Sequence, residues 1–179
     1  MTTQHTTALS ESPLFGPTRC ESVGCDGGNF SFPKESCRAG FKGEAPYFTI
    51  PELCASATAL REGIDNRPNK CAYHLLHVLV DQLLDPIREA WGKPIVVSSG
   101  YRCRELNDLV GGAKHSHHLL GCAADLIAGN RADHRRLFKL IVQMQQEGQI
   151  RFTQLIAEDN YRWIHISYVP SDLRCQILG

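Results

Sequence analysis

No stretch of this sequence approaches the roughly 18 consecutive apolar residues that a membrane-crossing helix needs, so a chain organised around helical membrane spans is excluded. Net charge is missing as well. Lys and Arg together number 19 and so do Asp and Glu, leaving no overall field to gather nucleic acid or to hold an anionic membrane surface. Binding must therefore come from a local site. The opening residues Met1-Thr2-Thr3-Gln4-His5-Thr6-Thr7 have neither the basic region nor the apolar core of a secretory signal. On that ground a protein made in the cytosol with reduced thiols is expected. Eight cysteines are present, but none forms the Cys-x-x-Cys pairs that mark structural zinc sites. Cys20, Cys25 and Cys37, completed by a histidine or by Cys54, are a weaker candidate for a small structural zinc; free or loosely buried thiols are the simpler reading. Internal repeats and low-complexity tracts are also lacking.

What is there suffices for one core. A chain of 179 residues with 42% hydrophobic content buries enough apolar surface for a single globular domain with an appendage. Residues 1–46 are the appendage: Gly, Pro, Ser and Thr recur throughout, which makes regular structure improbable there. Order is expected across 47–179. Thr49 is placed to cap a helix that has Pro51 in its first turn and runs to about Leu60. After a turn at Asp65-Asn66-Arg67-Pro68-Asn69, the residues Leu75, Leu76, Leu79, Leu83, Leu84, Ile87 and Trp91 recur at helical spacing, with Pro86 a candidate kink and Gly92 the stop.

Strands follow. Pro94 to Ser99 is short and rich in β-branched residues, Arg104 to Val110 forms a brief helix, and Cys122 to Ala128 forms a second strand. Asp133 is read as the cap of a helix that ends near Gly148. Two last strands, Phe152 to Ala157 and Tyr161 to Val169, make a hairpin around Glu158-Asp159-Asn160.

Two segments concentrate metal-binding chemistry. The run Ser116-His117-His118-Leu119-Leu120-Gly121-Cys122-Ala123-Ala124-Asp125 and the distant Trp163-Ile164-His165-Ile166-Ser167 together offer two imidazoles and a carboxylate. That donor set suits a catalytic zinc, because it leaves a fourth position open. His118, Asp125 and His165 are the candidate ligands. Strand alternation puts Asp125 on one face with Ala123, and puts Trp163, His165 and Ser167 on a face opposite Ile164, Ile166 and Tyr168. Gly121 supplies the backbone freedom to turn His118 toward Asp125. His115, His117 and His134 are read as solvated or as supporting groups.

The pattern Ser116-x-His118-x-x-Gly121-x-Ala123-x-Asp125, followed by Trp163-x-His165, resembles the zinc D-Ala-D-Ala carboxypeptidases and related murein peptidases of the M15 family. The resemblance extends over about residues 47–169. It includes Tyr47-Phe48, Gly63-Ile64-Asp65-Asn66, Leu84-Asp85-Pro86, Ser99-Gly100-Tyr101-Arg102, Leu106-Asn107, Gly111-Gly112-Ala113 and Gln154-Leu155-Ile156. It implies an α+β fold with a small antiparallel sheet and flanking helices, of the hedgehog/DD-peptidase kind. It also implies one catalytic Zn2+ held by His118, Asp125 and His165, and peptidoglycan stem peptides as substrate. A metal-activated water then attacks the scissile carbonyl, and a carboxylate must take and deliver the proton.

Glu158 is the choice for that base and Asp159 the fallback. Well-known members carry an acidic residue three places before the last histidine ligand, where this chain has Arg162. For Glu158 the plain alternative is a solvated turn carboxylate. Arg102 resembles a substrate-binding arginine, since its planar fork suits a carboxylate or carbonyl; an ion pair with Glu105 or Asp108 is the structural alternative. Ser116 is expected to orient the ligand loop rather than to act as a nucleophile.

Two other classes share the donor set. Mononuclear iron oxygenases also use two histidines and a carboxylate, but they favour larger all-β barrels. A hedgehog-like zinc domain that binds cell wall or protein without catalysis would close the site with a fourth protein ligand such as His115 or His117. A murein peptidase made in the cytosol resembles phage lysis or tail enzymes and mobile-element proteins, which reach the wall after permeabilisation or by injection.

Overall fold

A computed structural model describes residues 47–179. Residues 1–46, with Cys20, Cys25 and Cys37 and the proposed appendage, lie outside the described residues. Thr49 caps α1 (Ile50–Cys54) as expected, its hydroxyl accepting the Glu52 N–H, with Pro51 in the first turn. The helix does not run on to Leu60. Ala55 is extended, and Ser56 starts a second helix, α2 (Ala57–Glu62), by accepting the Ala59 N–H. A serine that caps is a local competitor to helix continuation, which is the reason one expected helix became two.

The long leucine-rich helix is continuous in direction but changes winding. It comprises α3 (Lys70–Leu79), a wide π turn (Val80–Leu84) and α4 (Asp85–Trp91). The Asp85 N–H reaches five residues back to the Val80 carbonyl. Pro86 therefore enters at the start of a newly wound helix, where its missing N–H costs least. Gly92, left-handed at φ 69°, ends it. Next come β1 (Val96–Ser99), α5 (Arg104–Leu109), a 3-10 turn (His117–Leu120), β2 (Ala123–Ile127) and α6 (Arg131–Gln146). The cap of α6 is Asn130, not Asp133; Asp133 occupies the third helical position and its side chain completes a reciprocal capping box.

The last elements are β3 (Gln154–Glu158), β4 (Trp163–Ser167) and β5 (Gln176–Leu178). The sheet has five strands in the order β1-β2-β4-β3-β5. The first four pair antiparallel as expected, whereas β5 runs parallel to β3. The fold class is α+β with a mixed sheet. The extra strand, Gln176-Ile177-Leu178, is three residues long, too short for a periodic signal.

Alternation sorts the sheet into two faces. Ala124 and Leu126 of β2, Leu155 and Ala157 of β3, and Ile164 and Ile166 of β4 bury into one core with Leu76, Leu79, Leu83, Leu84 and Ile87 of the long helix and with Leu137, Ile141 and Met144 of α6. Each fully buried Leu, Ile or Met among them contributes about 1.5–3 kcal/mol. The opposite face carries Ala123 and Asp125, Gln154, Ile156 and Glu158, and Trp163, His165 and Ser167. Among the described residues, the centre of that face opens on a cleft.

Candidate metal centre

The cleft has a volume of about 480 Å³, and its lining includes Arg102, His117, His118, Asp125, Glu158, Trp163 and His165. Asp125 and His165 are direct partners across the β2–β4 ladder. Their side chains meet, with His165 Nδ1 2.9 Å from Asp125 Oδ1. His118 arrives from a different element. Ser116 caps its 3-10 turn, the hydroxyl accepting the His118 N–H at 3.4 Å, and Gly121 ends the turn at φ 74°. A side chain at Gly121 would press on the Ala72 carbonyl, 2.5 Å from an ideal Cβ. The turn thus sits close against α3.

The tautomer of His118 is set by its neighbour. Its Nδ1–H donates to the Gly100 carbonyl at 2.6 Å, which leaves Nε2 facing the cleft. Nε2 lies 3.3 Å from Asp125 Oδ1 and 3.2 Å from His165 Nδ1. The three donor atoms therefore form a triangle with sides of 2.9, 3.2 and 3.3 Å. For ligands about 2.0–2.1 Å from a tetrahedral zinc, the ligand–ligand edge is about 3.3 Å. The triangle matches one face of such a tetrahedron, leaving the fourth corner to face the cleft. Among the described residues, this is the group of histidine, cysteine and acidic side chains placed to share a cation.

The electrostatics suit that role. Burial opposes charge on Asp125, but the imidazoles of His118 and His165 outweigh it whenever they are protonated, through hydrogen bonds and charge, and hold the carboxyl well below the usual carboxylate range. His118 is 3% exposed. Its burial, only partly countered by Asp125, lowers its pKa and favours the neutral imidazole that a metal requires.

Arg102 lies beside the centre, but its ion-pair partner is neither Glu105 nor Asp108. Its Nη2 donates to Asp125 Oδ2 at 2.8 Å and its Nε to the Ser99 hydroxyl at 2.8 Å. The sheet brings Ser99 opposite Asp125, a proximity that a sequence separation of this size conceals. Asn66 fixes the segment that carries Arg102. Its amide donates to the carbonyls of Cys54 and Tyr101, and its carbonyl oxygen accepts the Cys103 N–H at 2.7 Å.

Glu158 is the last residue of β3, on the cleft face, rather than a turn residue. The alternation Gln154, Ile156, Glu158 carries the signal for that placement. Asp159 begins the left-handed run Asp159–Tyr161, with φ of 43°, 52° and 63°, and is exposed with Arg162 as its ion-pair partner. It is not part of the cleft lining.

The sequence reads His115, His117 and His134 as solvated or supporting groups. His115 is exposed at the cleft rim. His117 is half-buried and shares a 3.0 Å hydrogen bond with the buried Ser167 hydroxyl, tying the ligand turn to β4. Burial first, and then the nearby His165, lower its pKa. His134 is neither solvated nor near the centre: it is buried on α6, and its Nδ1–H donates to the Tyr161 carbonyl at 2.8 Å, bracing the β3–β4 turn. Cys54, once a candidate zinc ligand, packs against the core, and burial pushes its thiol up to about 11. It joins no metal-binding group among the described residues.

Fold and site together define an α+β protein in which two histidines and a carboxylate on one sheet face are grouped closely enough to share a cation. Residues 46–167 match the family described as Peptidase M15, and the chain belongs to that family. Over 49 residues it is 49% identical to the zinc D-Ala-D-Ala carboxypeptidase of Streptomyces albus G. The shared stretch is 27% of this chain and spans about a fifth, 19%, of that relative's length.

Proposed function

We propose that this protein is a zinc-dependent peptidase acting on the stem peptides of peptidoglycan, as a D-Ala-D-Ala carboxypeptidase or a murein endopeptidase. The single observation that carries the reading is the triangle of His118 Nε2, Asp125 Oδ1 and His165 Nδ1, matched to one face of a zinc tetrahedron and open to the cleft on the other side. Membership of the M15 family and the local likeness to a zinc D-Ala-D-Ala carboxypeptidase support the reaction class.

His118, Asp125 and His165 hold the single catalytic zinc in this reading. When bound, zinc supplies Lewis acidity, which lowers the pKa of water and polarises a carbonyl. Glu158 is the general base, taking a proton from the attacking water and delivering it to the leaving amine; its place on the cleft face, two residues along the strand from Ile156, supports this. Arg102 faces the cleft with its remaining nitrogen, Nη1, making no hydrogen bond among the described residues, and so offers a donor to a substrate carbonyl or carboxylate. Ser116 positions His118 rather than attacking substrate.

A non-catalytic zinc domain would need a protein ligand at the fourth corner. His115 is at the exposed rim and His117 is engaged with Ser167, and neither joins the three-residue group. This favours the enzyme. Action on the cell wall, by a protein encoded by a phage or mobile element, belongs to the same proposal. The test is incubation of zinc-loaded and chelated protein with whole peptidoglycan and with a synthetic stem pentapeptide, the products being identified by mass. Zinc-dependent loss of terminal D-Ala, or release of a cross-link or stem fragment, supports the reading and identifies the bond; a zinc-loaded but inert protein moves it to the binding domain.

A further inference from the structure

The two oxygens of Asp125 have different employments. Oδ1 faces His165 Nδ1 at 2.9 Å and His118 Nε2 at 3.3 Å, whereas Oδ2 accepts the Arg102 guanidinium at 2.8 Å. Arg102 is itself anchored, because its Nε–H donates to the Ser99 hydroxyl at 2.8 Å. Ser99 and Asp125 face each other across the β1–β2 ladder, and the Ser98 hydroxyl donates to the Asp125 carbonyl at 3.1 Å. The arginine side chain thus spans from one strand to its neighbour's carboxylate. Side chains at both ends of the ion pair are largely sheltered, 17% exposed for Arg102 and 11% for Asp125.

We propose that Arg102 is a positioning residue for the metal centre: by occupying Oδ2 it makes Asp125 a one-oxygen ligand and keeps the fourth coordination position free. The inference rests on the zinc-peptidase reading above and deepens it. A carboxylate with both oxygens at liberty can swing to chelate a cation through both, which raises the coordination number and fills the place a substrate or water needs. For Asp125 that swing would break a charge-assisted hydrogen bond in a sheltered site. The fork geometry is what makes arginine suitable, since one planar group reaches Ser99 and Asp125 at once, and the single point charge of a lysine does not. Groups that hold a metal ligand from behind in this way typically change metal affinity about 10–100-fold when removed.

The test compares the unsubstituted protein with Arg102→Met, Arg102→Lys and Ser99→Ala. Zinc affinity is read by competition with a chromophoric chelator. Coordination number is read from the visible absorption of the cobalt(II)-loaded protein, which is intense for four ligands and weak for five. Arg102→Met is expected to weaken zinc binding about 10–100-fold and to dim the cobalt bands. Arg102→Lys should recover part of the affinity without the original spectrum, and Ser99→Ala should shift both readouts the same way by less. If Arg102→Met binds zinc as tightly as the unsubstituted protein with an unchanged cobalt spectrum, the proposal is overturned, and any loss of turnover belongs to substrate contact alone. If the unsubstituted protein takes up neither zinc nor cobalt, the peptidase reading fails and this proposal fails with it. Circular dichroism of the metal-free variants monitors folding. Should Arg102→Met not fold, Arg102→Lys and Ser99→Ala decide: unchanged affinity and spectrum in both would overturn the proposal.

Discussion

His118 and Gly100 are joined by a 2.6 Å hydrogen bond from the imidazole Nδ1–H to the backbone carbonyl, and this contact aims the other ring nitrogen at Asp125 and His165. Gly100 can make it only because its backbone lies against Leu53: an added Cβ would sit 2.2 Å from the Leu53 carbonyl oxygen, itself the acceptor of the Tyr101 N–H. Gly100→Ala must therefore push β1 away from α1. A loss of about 1–3 kcal/mol is expected, as for other overpacked sites, together with weaker zinc binding. Urea unfolding of the metal-free protein and chelator competition measure the two effects separately; loss of stability with unaltered zinc affinity would detach Gly100 from the metal centre.

Glu158→Gln keeps the shape of the side chain and removes its capacity to take a proton. Turnover on a stem pentapeptide should fall about 10²–10⁴-fold with zinc content unchanged by atomic absorption. Asp159→Asn, on the solvent side of the turn, should stay close to the unsubstituted rate. Equal activity of Glu158→Gln and the unsubstituted protein would remove the base assignment.

Zinc should stabilise the fold, since its donors come from the 3-10 turn, β2 and β4 and converge only in the native chain. At free zinc about a hundred times the dissociation constant, the gain is about 2.7 kcal/mol. Differential scanning calorimetry with zinc and with chelator reads it as a rise in Tm, and His165→Ala should abolish most of that rise. A Tm indifferent to zinc would contradict a native-state site.

Asp85 gives the stability a pH dependence of its own. The side chain is buried, with Oδ1 lacking a partner among the described residues, and burial raises its pKa to about 6 despite backbone hydrogen bonds from Phe48 and Tyr47. Because the folded value lies above the unfolded one, the native state holds the proton more tightly. The stabilisation is complete below the ordinary carboxylate value, is lost as pH rises toward 6, and changes no further above it. The fall is at most about 3 kcal/mol. Urea titrations between pH 4 and 7 should show it, and Asp85→Asn should flatten that slope; an unchanged slope would place its origin elsewhere.

How much of this could be read along the chain depends on the range of the interaction responsible. Helical leucine spacing, the β-branched run before Gly100 and the alternation in the last hairpin are local signals, and the elements they announce are present. The ligand candidates were legible because their spacing around Gly121 and in β4 is local too. Boundaries were lost where one short side chain competes with the backbone, as at Ser56 and Asn130. β5 was lost because its partner is more than twenty residues away and its own pattern is weak.

Sequence by itself determined most of the helices and strands and the chemical identity of the donors, because both depend on residue type and on periods of a few residues; the fold class came with the family resemblance its motifs carry. Tertiary structure alone decided which nitrogen of His118 faces the cleft, that Arg102 holds Asp125 rather than Glu105 or Asp108, and that His134 is a buried brace. Each of those depends on strand register and on backbone approach between segments tens of residues apart. Hydrogen bonds of that kind leave no periodic trace in the residues that make them.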